Sequence, residues 1–270
     1  MKSFEELYYE APSFWQEGAV LTDRMKELAA LVPAGTRTLL DVGCGNGKFG
    51  HYLNENRPEI EVTGVDRSET ALSYVQFNKV QAPITAIPLE DLSFDTVTCL
   101  QVLEHLHAPA TAPALDQLAR LARDTLIVEV PFAENIAGNR TTCPRCTTTF
   151  NVDLHIDSFD EARLKRLFDD RGFRFVDWIF PERKQHLWLL DSAIDALNAL
   201  RAKDPGFLSP ICPLCGYSEG DRTVFTVGGA NRTPPARSGI RKAVSNLVKK
   251  AWPKVEVRGY AVACLYKRVG

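Results

Sequence analysis

Apolar residues recur at two periods along the chain, and the changes from one period to the other outline most of its elements. Leu21, Met25, Leu28, Ala29 and Val32 fall at helical spacing, so the N-terminal segment up to about residue 35 reads as a helical cap. Short apolar runs at about 37–42, 61–65, 94–100 and 124–131 predict strands, with helical segments between them. That alternation implies parallel strand–helix–strand units, whose ligands gather at the carboxyl ends of the strands. A helix is expected after Ser158, with Glu161 as its capping-box partner, running to about Asp170 until Gly172 stops it. FRFVDWIF, ending at Phe180, reads as strand six, and VEVRGYAVACLYKR over 255–268 as the last strand. No internal repeat interrupts this plan.

The stretch TLLDVGCGNGKFG over 38–50 carries the chemistry. A strand ends in Asp41 and is followed by Gly43, Gly45 and Gly47, which let the backbone turn tightly and let a ligand lie against main-chain atoms. A second strand, EVTGVD, ends in Asp66, placed like the acid that holds ribose hydroxyls in nucleotide-binding α/β folds. These features call for a cofactor containing adenosine. Gly45, Gly47 and Gly50 also make the spacing of a dinucleotide site, but that register puts Asp41 and Gly43 inside the strand, where they fit poorly. Starting instead at Gly43 leaves Lys48 in the place of the third glycine. A phosphate-binding P-loop needs glycine at Val42 and a hydroxyl residue at Phe49, and it has neither.

With these residues in place, the chain resembles class I S-adenosylmethionine-dependent methyltransferases over roughly 36–132. The resemblance rests on Asp41-Val42-Gly43-Cys44-Gly45-Asn46-Gly47, on Asp66, on Ile87-Pro88-Leu89, Asp91 and Ser93-Phe94-Asp95, and on Val102-Leu103-Glu104-His105-Leu106. It implies a Rossmann-like seven-stranded, mostly parallel sheet with helices on both faces. It also implies a cofactor site of Asp41, Gly43, Cys44, Gly45, Gly47, Asp66, Arg67 and Gln101. Asp41 would help hold the methionine ammonium and Gln101 would lie near the methionine portion. The family often has an acid near position 83 that contacts adenine; here the residue is Pro83, which leaves adenine to backbone groups around Ile84 to Ile87. The sulfonium already activates the methyl group, so the protein mainly aligns a nucleophile and excludes water. For a hydroxyl acceptor, His105 is the first candidate base and Glu104 the second. A packing or capping role for His105 is the alternative. The aromatics Tyr8, Tyr9, Phe14 and Trp15 are placed either to cover the cofactor or simply to dock the N-terminal segment on the sheet.

Two insertions depart from the family plan, one at roughly 133–157 and one over 181–254, the latter between the core helix and strand six at 158–180 and the last strand at 255–270. Each holds a Cys-x-x-Cys knuckle, Cys143 with Cys146 and Cys212 with Cys215. Together they supply the four thiolates of a structural zinc site, and both insertions leave the cofactor side of the sheet. The expectation is a zinc-clamped lid, with His155 as a possible substitute or supporting ligand. Matched pairs outside any thioredoxin-like pattern favour metal over a redox dithiol. Cys99 and Cys264 sit in apolar strand patterns and read as core.

Composition narrows the partners. The 270 residues carry a net charge of −2, which gives no global pull toward nucleic acid or an anionic membrane. The N-terminus is acidic, without the apolar core of a secretory signal, and no apolar run spans a bilayer, so a cytoplasmic protein is expected. The basic segment 237–254 would form an amphipathic helix, with Ile240, Val244, Leu247, Val248 and Trp252 on one face. It reads as a lid helix, with peripheral membrane contact or RNA contact as alternatives. Leu100-Gln101-Val102-Leu103 lacks the Asn/Asp-Pro-Pro-aromatic pattern of base-nitrogen methylases. The expected acceptor is therefore a small molecule or glycan, methylated at oxygen. The rivals are an RNA methyltransferase, a zinc-scaffolded binding protein without transfer activity, and an NAD-linked oxidoreductase.

Overall fold

A computed structural model describes residues 9–10, 15, 22–138, 140–181, 185–186, 212–214, 255–256 and 261–269. Helix α1 (Thr22–Leu31) precedes strand β1 (Thr38–Val42), helix α2 (Lys48–Asn56), strand β2 (Glu61–Asp66), the single turn α3 (Glu69–Leu72) and strand β3 (Asn78–Gln81). Strand β4 (Phe94–Leu100), helix α4 (Ala108–Leu121) and strand β5 (Ala122–Pro131) follow. The insertion after β5 forms a hairpin of β6 (Arg140–Thr142) and β7 (Thr149–Asn151). Helix α5 (Glu161–Arg166) and strand β8 (Phe173–Ile179) lead to the short β9 (Gln185–His186) and β10 (Val255–Glu256), and then to β11 (Ala261–Arg268).

The main sheet has seven strands in the order β3-β2-β1-β4-β5-β11-β8. All neighbours among the first five are parallel, and β11 runs antiparallel between β5 and β8. The chain order reverses between β1 and β4, and the crevice beyond their carboxyl ends is where an open α/β sheet binds its ligand. Helices cover both faces because successive strand residues enter different cores. Leu40, Leu126, Val128 and Cys264 pack with Leu118, Phe159 and Phe168 on one side. Leu39, Ile127 and Ala263 pack with Leu28, Phe49 and Leu53 on the other. Each fully buried leucine contributes about 2 kcal/mol by leaving water.

Three expectations need correction. The helix after residue 158 is capped by Asp160, whose carboxylate accepts the Arg163 amide at 2.8 Å. Ser158 instead donates its hydroxyl to the Glu134 carbonyl, so it anchors the insertion. The helix ends at Arg166, and a separate 3-10 turn over Asp169–Arg171 precedes Gly172, whose φ of 76° makes the stop. The last sheet strand begins at Ala261, not at 255, because Val255 pairs antiparallel with His186 in a ribbon of its own. Strand β3 had no apolar signal: NKVQ is a polar edge strand with only Val80 packed against the core.

Two contacts bring the first insertion back over the sheet. The Ala133 amide donates to the Phe159 carbonyl, and the Ile156 and Asp157 amides donate to the Glu104 carbonyl at 2.9 and 3.1 Å. The segment that carries His155 is thus fastened to the turn that follows β4. Cys215 and the basic segment 237–254 lie outside the described residues. Among the described residues, no helix is long and apolar enough to cross a membrane.

Candidate active site

The glycine turn begins where β1 ends. Gly43, Gly45 and Gly47 have φ values of 74°, 54° and 79°, a left-handed run open to glycine at little cost. Space imposes the same choice, since a β-carbon at Gly43 would collide with the Val102 side chain. The Gly43 and Cys44 amides donate to the Val65 carbonyl, which draws the turn against β2. Asp66 completes the tie: one carboxylate oxygen accepts the Gly45 amide at 2.8 Å, the other the Ser68 amide at 2.9 Å. Both oxygens keep lone pairs for a further donor such as a ribose hydroxyl. Burial raises the pKa of this carboxyl. Asp41 is buried beneath the turn, accepts the Thr98 hydroxyl at 2.8 Å, and is pushed up to about 7, first by burial and then by the Asp66 charge, against the Thr98 bond. The Cys44 side chain turns under the loop, packing with Leu72 and Val75, and burial holds its thiol protonated. That is a packing position. Arg67 is exposed and lies 5.0 Å over the Tyr9 ring.

A second group of side chains lies one strand away, beyond β4. Val102, packed on Gly43, joins the two places directly. Gln101 has a φ of 58°, its amide donates to the Glu129 carbonyl, and its buried side-chain nitrogen has no hydrogen-bond partner. Glu104 is fully buried with neither carboxylate oxygen hydrogen-bonded. Burial, then Glu129 and Glu134, push it up to about 8. His105 Nδ1 lies 3.3 Å from the Leu154 carbonyl, and its ring stands edge-on to His155, 4.8 Å between centroids. Burial and His155 push its pKa down to about 4. Burial thus favours the uncharged form of both groups. His155, predicted near the cysteines, instead bonds Glu134 through Nδ1 at 2.6 Å. His107 is exposed at the start of α4; for His186 only the backbone is described.

Residues 40–125 match the methyltransferase domain family. Two curated relatives are ubiquinone biosynthesis O-methyltransferases. The one from Alkalilimnicola ehrlichii is 38% identical over 28% of this chain and 34% of its own length. The one from Paracidovorax citrulli is 32% identical over 37% of this chain and 45% of its own. The chain thus spans between a third and a half of the length of these relatives. A solved S-adenosylmethionine-dependent methyltransferase from Archaeoglobus fulgidus superposes with a TM-score of 0.55 at 18% identity, covering 98% of this chain and 100% of that one. Residues 40–125 are thus similar to a methyltransferase domain, on a fold similar to that of a solved S-adenosylmethionine-dependent methyltransferase.

The N-terminal aromatics lie on the glycine turn. Trp15 packs on Gly45, where a β-carbon would come within 2.6 Å of its ring, and its carbonyl accepts the Asn46 side chain at 2.8 Å. Tyr9 receives the Trp15 indole N–H and the Ser68 hydroxyl on its carbonyl, and its ring stands edge-on to His105. Tyr8 and Phe14 lie outside the described residues. Sequence reasoning missed Glu129 and Glu134. Glu129 had a legible signal, an acid inside the apolar run TLIVEV; it is buried and paired with Arg24 of α1.

The cysteine pairs also converge. Cys143, Cys146 and Cys212 bring their sulfurs within 4.8 Å of one another, with Cys146 and Cys212 3.4 Å apart, although 66 residues separate them. Tetrahedral zinc–thiolate bonds of about 2.3 Å place sulfurs roughly 3.8 Å apart, so this donor set fits zinc.

If Asp41 faces a bound cationic cofactor, as the sequence leads one to expect, its raised pKa makes that binding depend on pH. Below its pKa of about 7 the carboxyl is neutral; above it, the ionised form attracts a cationic ligand. Affinity for S-adenosylmethionine should therefore rise with pH between about 5.5 and 7.5. Asp41→Asn should flatten that rise and bind more weakly at the upper end, as measured by calorimetry across the range.

Proposed function

We propose that this protein transfers the methyl group of S-adenosylmethionine to an oxygen of a small molecule or glycan, under a lid clamped by structural zinc. The observation that supports the reading most strongly is adjacency. The Asp66-tied glycine turn and the Glu104–His105 turn end neighbouring strands and touch through Val102 on Gly43. Cofactor and acceptor would thus meet across one crevice. The O-methyltransferase names of the relatives support oxygen as the methylated atom.

S-adenosylmethionine, when bound, supplies a methyl group already activated on a sulfonium. The chain's own residues do the rest. Gly43, Gly45 and Gly47 leave room for the methionine portion, Asp41 provides charge for its ammonium, and Asp66 takes the ribose hydroxyls. Gln101 offers its unpartnered side-chain nitrogen beside the methionine. The Ala86 and Ile87 amides are already taken, by the Pro83 carbonyl and Gln117, so backbone recognition of adenine falls to Ile84 and Thr85. Tyr9 and Trp15 cover the loop and exclude water. With Nδ1 held at the Leu154 carbonyl, His105 keeps Nε2 as the nitrogen that acts on the acceptor hydroxyl. Cys143, Cys146 and Cys212, with Cys215, would fill a zinc coordination shell and leave no open position for water, which makes the metal structural.

Two measurements test this reading. Labelled methyl from S-adenosylmethionine, incubated with fractionated cell extract, should enter the metabolite, lipid or glycan fraction; label confined to RNA, or no label with cofactor binding intact, would overturn it. Metal analysis should find about one zinc per chain, lost in Cys143→Ser together with Cys146→Ser. Zinc-free protein that keeps its fold would remove the clamp.

A further inference from the structure

Glu104, His105 and His155 bring one carboxylate oxygen and two imidazole nitrogens within 4.8 Å of one another. Three independent features of this cluster point to a ligand. The Glu104 carboxylate is fully buried and neither oxygen has a hydrogen-bond partner, an expensive arrangement unless something else engages it. Each histidine has its Nδ1 at an acceptor outside the cluster, the Leu154 carbonyl for His105 and the Glu134 carboxylate for His155. That is how a protein orients a metal-binding imidazole: the outer bond fixes the tautomer and turns the Nε2 lone pair over to the ion. Finally, the fold joins the two halves deliberately, since the Ile156 and Asp157 amides close on the Glu104 carbonyl and hold the insertion against the turn.

We infer that Glu104, His105 and His155 form a divalent transition-metal site, separate from the cysteine cluster, that binds the acceptor oxygen. Two imidazoles and one carboxylate suit a borderline cation such as manganese, iron or zinc, and three protein ligands leave positions open to substrate. The inference rests on the methyltransferase reading and specifies how His105 serves it, as a ligand and not as the proton acceptor. The cation lowers the pKa of the hydroxyl bound to it, and the proton departs to water. The oxygen then forms its bond to the methyl carbon as the carbon–sulfur bond breaks, and the electron pair leaves on the neutral thioether.

The test is binding of Mn²⁺ to the full chain as purified, followed by electron paramagnetic resonance, with S-adenosylmethionine binding measured on the same samples. Wild type should bind one Mn²⁺ per chain. Glu104→Gln and His155→Gln, both close to the native shapes, should each weaken it at least tenfold while cofactor affinity stays within about twofold. No Mn²⁺ bound by wild type, or equal binding by both variants, would overturn the site and leave the cofactor result standing. Mn²⁺ binding without any cofactor binding would support the site and instead refute the methyltransferase reading.

Discussion

The Asp66 carboxylate couples the two pieces of backbone on which the cofactor site depends. It receives the Gly45 amide from the glycine turn and the Ser68 amide from the entry to α3. Parallel pairing of β1 with β2 sets Asp41 beside Gly64 and Val42 beside Val65, so the acid at the end of β2 lies against the turn that follows β1. The turn can approach this closely because its glycines adopt left-handed φ and carry no side chains. Ser68 continues the network by capping α3 and by donating to the Tyr9 carbonyl, which holds the aromatic cover in place. Loss of this one carboxylate would leave buried amides unpaired on both sides of the crevice.

The turn after β4 is organised by a comparable tie. The Glu104 carbonyl takes two amides from the end of the first insertion, and Ser158 fastens that insertion to Glu134. His155 can face His105 only because of this return. On the opposite flank, Arg24 pairs with Glu129 at the end of β5, and the Glu129 carbonyl fixes the amide of Gln101. The polar groups of the crevice therefore come from separate segments, tied together by backbone and side-chain hydrogen bonds. Such anchoring is what keeps catalytic side chains in one geometry.

The parts of the fold that were legible in the sequence are those whose constraint is local. Glycine spacing after Asp41 demanded a tight turn, and the buried strands announced themselves as apolar runs. An edge strand has no such pattern, so NKVQ passed unnoticed. Val255 and Glu256 have strand-like character, but sequence alone does not say which partner a strand will take, and theirs is Gln185–His186. At the start of α5, Ser158 and Asp160 are both good caps; the insertion claims Ser158 and leaves the role to Asp160. The approach of Cys143 and Cys146 to Cys212 was readable because both insertions leave the same side of the sheet. The His105–His155 contact was not, since it depends on how an irregular segment folds back across 50 residues.

The central claim is that the Asp66-tied glycine turn binds S-adenosylmethionine. Its most direct test is calorimetric titration of the wild type and of Asp66→Ala with S-adenosylmethionine and, separately, with NAD. The account predicts binding of S-adenosylmethionine to the wild type, at least about tenfold weaker binding to the variant through loss of charge-assisted ribose hydrogen bonds, and no binding of NAD. Equal affinity in the two proteins, or a preference for NAD, would contradict it.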